Sequence, residues 1–232
     1  MSNIKALNRD QIAALVANIL PDGSYVNLGI GIPVKVSDHL PPDREIILHS
    51  ENGILGMGRA AVGDEIDSDI VNAGRVPVTL LNGASITEHC NSFAMMRGGH
   101  LDYAILGGFQ VAPNGDLANW LTDAPDAIAA IGGAMDLAVG AKNVIVMMEH
   151  NTKDGQHKLL NTCTYPLTGA GVVNKVYTDL AIIAIKNNQF IVEAIIEGLS
   201  PKELQSKSEA PLVFAHNLQT IQIDDAGKAS LV

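Results

Sequence analysis

The 232-residue sequence predicts an α/β fold: a mostly parallel open sheet with helices on both faces and a strand-rich C-terminal portion, as a single domain over residues 1–232. Three observations predict it. Strand-like and helix-like stretches alternate from residue 9 to residue 109. Glycines punctuate the ends of the strand-like runs. After residue 149 the pattern shifts to apolar runs, two of them joined at Asn187-Asn188.

Taken in order, residues 9–20 place Ile12, Leu15, Val16, Ile19 and Leu20 at helical spacing. Asn8 caps this helix, Gln11 completes a capping-box-like start, and "PDG" at 21–23 ends it. "SYVNLGI" reads as a strand, followed by a glycine turn and a short helix from Pro33, where a missing N–H costs nothing. Ile46, Ile47 and Leu48 form a buried strand, and Gly53, Gly56 and Gly58 read as a loop that bends tightly or approaches a ligand. "VPVTLLN" (76–82) is a strand, "TEHCNSFAMMRGG" (87–99) a helix with a glycine stop, and "LDYAILGGF" (101–109) a strand. Asn114-Gly115 signals a hairpin. Residues 127–141 read as a buried glycine-rich turn region, "KNVIVMME" (142–149) as a strand, and "LAIIAI" with "QFIVEAII" as a second hairpin.

Composition narrows the function classes. A content of 47% hydrophobic and 17% charged residues supports a real core, and a net charge of −10 with scattered Lys and Arg argues against a nucleic-acid surface. Cys90 and Cys163 lie far apart without C-x-x-C spacing, so no disulfide framework or zinc site is expected and reduced cytoplasm is the natural compartment. Polar residues 8–11 interrupt any leader-like apolar run, and no stretch reaches the roughly 18 apolar residues of a membrane span.

The candidate chemistry gathers around glycines. Glu51, in "HSENGILGMG", would stand at a strand's carboxyl end, where open α/β sheets bind ligands; it reads either as a nucleophile, already ionised at neutral pH, or as a solvated loop charge. Gly29 and Gly31 of "NLGIGIP" either offer N–H groups to an oxygen or form a plain turn; the dinucleotide fingerprint fails because Val34 stands where its third glycine belongs. Gly133 and Ala134 of "IGGAMDL" could present an oxyanion hole, or the glycine could serve helix–strand packing. Arg75 follows a glycine and suits a phosphate or a surface ion pair. The seven histidines show no metal-ligand spacing and read as structural.

Together, "NLGIGIP", "SENGILGMG", "VNAGR", "SFAMMRGGHLD", "GDLANW", "GGAMDL" and "YPLTG", in this order over about residues 8–200, resemble the β subunit of class I coenzyme A transferases, the 3-oxoacid CoA-transferase family. The resemblance implies a CoA-transferase-like fold with Glu51 as nucleophile and Gly133 as oxyanion stabiliser. It further implies contacts to CoA or substrate from Asn27, Gly29, Gly31, Asn52, Arg75 and Ala134; Arg75 stands where relatives often carry lysine.

The implied reaction is ping-pong transfer of CoA from an acyl-CoA, succinyl-CoA foremost, to a 3-oxo acid, acetoacetate or 3-oxoadipate, through a glutamyl-CoA thioester. Coenzyme A is then a substrate, and neither a cofactor nor a metal is expected. The implied partner is an α subunit in an α2β2 heterotetramer, with no nucleic-acid or membrane partner. Two alternatives stay open on sequence: an acyl-CoA hydrolase using the same glutamate, and a non-catalytic acyl-CoA-binding module.

Overall fold

The structure, a computed structural model, describes residues 4–232. Residues 1–3, the start of the stretch searched for a leader, lie outside the described residues. Helix α1 (Arg9–Asn18) opens with the expected capping box, in which Asn8 Oδ1 accepts from the Gln11 N–H and Gln11 Oε1 accepts from the Asn8 N–H. Next come β1 (Tyr25–Leu28), a 3-10 helix (Ile32–His39) with Pro33 in its first turn, and β2 (Ile47–Ser50).

Here the structure departs from expectation. Residues 54–60, read as a glycine loop, form a strand, β3 (Ile54–Ala60), antiparallel to β2. The glycines keep strand pairing while yielding to the neighbouring strand: a β-carbon at Gly56 would sit 3.0 Å from the Ala84 α-carbon of β4 (Val78–Ile86). Glycine in a strand thus marks close backbone approach, a reading that a loop assignment overlooks.

Helix α2 (His89–Arg97) leads to β5 (Tyr103–Gly107). The Asn114-Gly115 hairpin joins β6 (Gln110–Val111) to β7 (Leu117–Ala118) as expected. The segment 127–141 is not a buried turn region: it contains α3 (Ala134–Gly140), and Ile128 is 82% exposed. Strand β8 (Asn143–Met147) precedes β9 (Lys175–Tyr177). The hairpin of β10 (Ala181–Lys186) and β11 (Gln189–Ile196) turns through Asn187 and Asn188, both at positive φ, as a two-residue turn of matching twist requires. A short α4 (Pro201–Gln205), β12 (Leu212–Ile223) and β13 (Ala229–Leu231) close the chain.

Among the described residues eleven strands form one sheet in the order β13-β12-β11-β10-β9-β8-β5-β1-β2-β3-β4. Its centre, β9-β8-β5-β1-β2, is parallel throughout; β3 and β4 extend one side antiparallel, and on the other β10, β11 and β13 pair antiparallel while β12 runs parallel to β11. Strands β5 and β8 are buried along nearly their whole length, as strands covered on both faces must be.

From β1 the chain steps to β2 on one side and later returns to β5 on the other. Right-handed crossovers taken in opposite directions put their helices on opposite faces. The 3-10 helix, packed on α1, therefore covers one face, and α2, packed on α3, the other. This reversal makes the carboxyl ends of β1 and β5 a topological switch point, where such sheets bind ligands.

Candidate active site

Glu51 directly follows β2. A tight turn, closed by the Gly53 N–H to the Ser50 carbonyl at 2.9 Å, carries it over the sheet edge before β3 returns. Gly53 has φ +119 with the Thr87 carbonyl pressed against its α-carbon, so only glycine permits this turn.

Behind the turn stands a buried polar relay. Asn27 and His49 are register partners on β1 and β2, so their side chains share one face. Asn27 Nδ2 donates to His49 Nδ1 at 2.9 Å and to the His49 carbonyl at 3.1 Å. Burial lowers the His49 pKa to about 4, leaving a neutral ring at pH 7. With Nδ1 accepting, Nε2 carries the proton and donates to Ser92 Oγ of α2 at 2.8 Å, while Ser92 donates to the Ser50 carbonyl at 3.4 Å. Ser50 Oγ accepts the Ala73 N–H at 2.9 Å. His49, read from the sequence as structural, secures through this relay the residue that precedes Glu51 and also contributes to the cavity wall there.

The Glu51 carboxylate meets Gly133, the residue before α3. A β-carbon there would overlap Glu51 Oε2 and sit 3.0 Å from Cδ and 3.1 Å from Phe93 Cζ. The Gly133 N–H has no hydrogen-bond partner among the described residues, whereas the Ala134 N–H donates to the Ile131 carbonyl at 3.2 Å. Of the two amides expected to form an oxyanion hole, only that of Gly133 lacks a competing acceptor.

Burial raises the Glu51 pKa above the ordinary 4.5; the Asp136 charge adds to the rise and the His89 charge opposes it. Asp136 pairs with Arg97 at 2.6 Å, Arg97 lies 5.6 Å over the Phe93 ring, and His89 meets Phe93 edge-on at 4.7 Å. These partners escaped the sequence reading, although His89, Phe93 and Arg97 recur every fourth residue and so share one face of α2.

A cavity of about 510 Å³ opens at the carboxyl ends of β1, β2, β5 and β8. It joins Asn27, Gly29, Glu51, Gly133 and Ala134 in one space. Gly31, Asn52 and Arg75 do not line it. Gly31 starts the 3-10 helix, Asn52 Nδ2 donates to the Val71 carbonyl at 2.7 Å, and Arg75 sits exposed at φ +62 on a turn whose Asn72, Ala73 and Gly74 form cavity wall. Arg9, Glu149 and Lys158 also line the cavity. No local motif announced them, because they come from widely separated segments. Among the described residues, no group of three or more His, Cys, Asp or Glu side chains is placed to hold a metal ion, and no helix is long and apolar enough to cross a membrane.

Fold and site together describe an α/β protein with a cavity at the switch point of a parallel sheet, beside a half-buried carboxylate. The chain belongs to the coenzyme A transferase family, whose family model matches residues 9–207. It is 53% identical over 209 residues to the B subunit of the 3-oxoadipate CoA-transferase of Acinetobacter baylyi, covering 90% of this chain and 96% of that one. It is 46% identical over 202 residues to the B subunit of the succinyl-CoA:3-ketoacid coenzyme A transferase of Helicobacter pylori, covering 87% and 97%.

Solved structures share the fold at low identity. Glutaconate coenzyme A-transferase from Acidaminococcus fermentans matches with a TM-score of 0.69 at 19% identity, over 95% of this chain and 92% of that one. An acyl-CoA transferase from Escherichia coli O157:H7 matches with a TM-score of 0.74 at 18% identity, over 97% of this chain; the chain spans about half, 46%, of its length.

Proposed function

We propose that this chain is the catalytic subunit of a CoA transferase that moves CoA from succinyl-CoA to a 3-oxo acid, 3-oxoadipate or acetoacetate, with Glu51 as covalent nucleophile. One observation carries the reading: the Glu51 carboxylate, half-buried in the switch-point cavity, lies against the α-carbon of Gly133, whose N–H has no partner among the described residues. The names of the Acinetobacter and Helicobacter relatives, which specify 3-oxoadipate and a 3-ketoacid, support the substrate class.

In the first step a Glu51 oxygen attacks the thioester carbonyl, and the Gly133 N–H faces the oxyanion that develops. Collapse breaks the C–S bond and gives an acyl-glutamyl anhydride with CoA thiolate. The thiolate attacks the glutamyl Cδ, the first acid leaves as carboxylate, and a glutamyl-CoA thioester remains. The second acid's carboxylate attacks that thioester and expels the thiolate, which then takes the new acyl group and frees Glu51. Partial desolvation sharpens the nucleophile and limits hydrolysis of the anhydride. A carboxylate nucleophile and a thiolate leaving group need no metal or cofactor; CoA is a substrate.

Residues 1–232 act in this proposal as one domain, because one eleven-stranded sheet joins β1 to β13 among the described residues. The site is completed by an α subunit, in an α2β2 assembly in the cytoplasm. Exposed apolar side chains support a covering partner: Val62, Ile66, Leu81 and Ile86 around the β4 edge, and Ile128 and Val139 beside the site. Both relatives carry the name of one lettered component of a multi-subunit enzyme, which agrees with this.

The test is a panel of acids assayed with the isolated chain and with the two-subunit complex. Acceptor-dependent CoA exchange with ping-pong kinetics, confined to the complex, is expected. Acid release without an acceptor would make the protein a hydrolase, and full exchange by the isolated chain would remove the partner.

A further inference from the structure

Four side chains that line the cavity, Arg9, Glu51, Glu149 and Lys158, are ordinarily charged at neutral pH. Arg9 and Glu149 satisfy each other at 2.8 Å. Glu51 is the proposed nucleophile, which leaves Lys158. It forms no ion pair with any described residue, although it is only partly exposed. Burial lowers its pKa, and the charges of Glu149 and Asp179 oppose that shift. Asp179 itself accepts the His150 N–H at 2.6 Å and does not line this cavity.

The backbone under Lys158 is firmly held. Its carbonyl accepts the Val111 N–H at 2.9 Å, the Leu160 N–H returns to the Val111 carbonyl at 3.0 Å, and Leu159 between them is fully buried. A cation on so fixed a base, whose one charged neighbour in the cavity wall, Glu149, is already paired with Arg9, is placed to meet an anion that arrives from outside.

We propose that Lys158 recognises the distal carboxylate of a dicarboxylic acyl group while its other end reacts at Glu51, and so selects diacid over monoacid substrates, which of the two acceptors named above favours 3-oxoadipate over acetoacetate. The inference rests on the Glu51 reading above. Acylation neutralises Glu51, and with Arg9 and Glu149 paired, the cavity then holds one uncompensated positive charge. A second carboxylate on the acyl group neutralises it; a methyl terminus does not.

Glu51 and Lys158 line one cavity of about 510 Å³, which has room for a short diacid. Leu106, Met147 and Met148 line the same cavity and offer apolar surface to the methylene chain. A CoA phosphate carries the same negative charge, and the experiment separates the two sources.

In the two-subunit complex, inhibition constants for succinate, butyrate and free CoA are measured against the exchange reaction for wild type, Lys158→Met and Lys158→Arg. Wild type should bind succinate at least about 10-fold tighter than butyrate. Lys158→Met should collapse that ratio toward one with little change for CoA, and Lys158→Arg should keep most of it. An unchanged acid ratio in Lys158→Met overturns the assignment, and so does a loss confined to CoA, which would make the anion a phosphate. Borohydride trapping of Glu51 in the wild type keeps the two readings apart: without an adduct the Glu51 mechanism fails, whereas an adduct with an unchanged acid ratio fails Lys158 alone.

Discussion

The Glu51 carboxylate lies against the α-carbon of Gly133, so that a β-carbon on residue 133 would overlap its Oε2 atom. The contact joins the tip of β2 to the start of α3. Gly133→Ala should therefore displace the nucleophile and lower kcat by about 10²-fold, the cost of a misplacement near 1 Å. Turnover of the folded variant, with its circular dichroism and KM for acyl-CoA compared to wild type, checks this; wild-type kcat would show that the contact is unimportant.

Glu51→Gln keeps the shape and removes the charge. Turnover should fall by a factor on the order of 10³ or more, and the borohydride-trappable adduct should vanish. Stability should move the other way. The folded state holds the Glu51 pKa above 4.5, so ionisation costs stability, absent below the unfolded pKa and fully present above the folded one. Glu51→Gln should raise Tm at pH 7 and leave it unchanged in acid. A lower Tm at pH 7 would contradict the desolvated-carboxylate picture.

Asp136→Asn removes a negative charge that raises the Glu51 pKa and releases Arg97, which adds positive charge nearby. Both changes favour ionised Glu51. The acidic limb of the kcat/KM profile should shift to lower pH, by less than about one unit because the pair is partly solvated. A shift to higher pH would assign that limb to another group.

Arg75 holds φ +62, a conformation that costs a non-glycine residue about 1–2 kcal/mol. Arg75→Gly should be at least as stable as wild type in thermal melts, and Arg75→Ala should keep the strain. If the guanidinium meets a CoA phosphate from outside the cavity wall, both variants should lose acyl-CoA affinity equally, and the loss should shrink as salt rises. Unchanged KM in both would leave Arg75 as a surface charge.

Much of the fold was legible in the sequence, because short-range chemistry decides it. The Asn8–Gln11 capping box, the Asn114-Gly115 and Asn187-Asn188 turns, and the apolar runs of β5 and β8 are local signals, and each appears where local physics puts it. Gly53, Gly56 and Gly58 were legible as special but not as what they are. A glycine signals that a β-carbon is unwelcome; whether a ligand, a turn or a neighbouring strand excludes it depends on β4, which begins twenty residues after Gly58.

The ordered motifs pointed to Glu51 and Gly133 and to the family. Their meeting is a tertiary fact, since 82 residues separate them and only the switch from β2 back across β1 to β5 brings α3 over the tip of β2. The same holds for the cavity charges. Arg9 pairs with Glu149 across 140 positions, and Lys158 is left without an ion-pair partner among the described residues by an arrangement that no short stretch of chain contains. Composition and periodicity report what each segment prefers for itself; which charges face one another depends on strand order, and strand order is settled by long-range burial and crossover handedness.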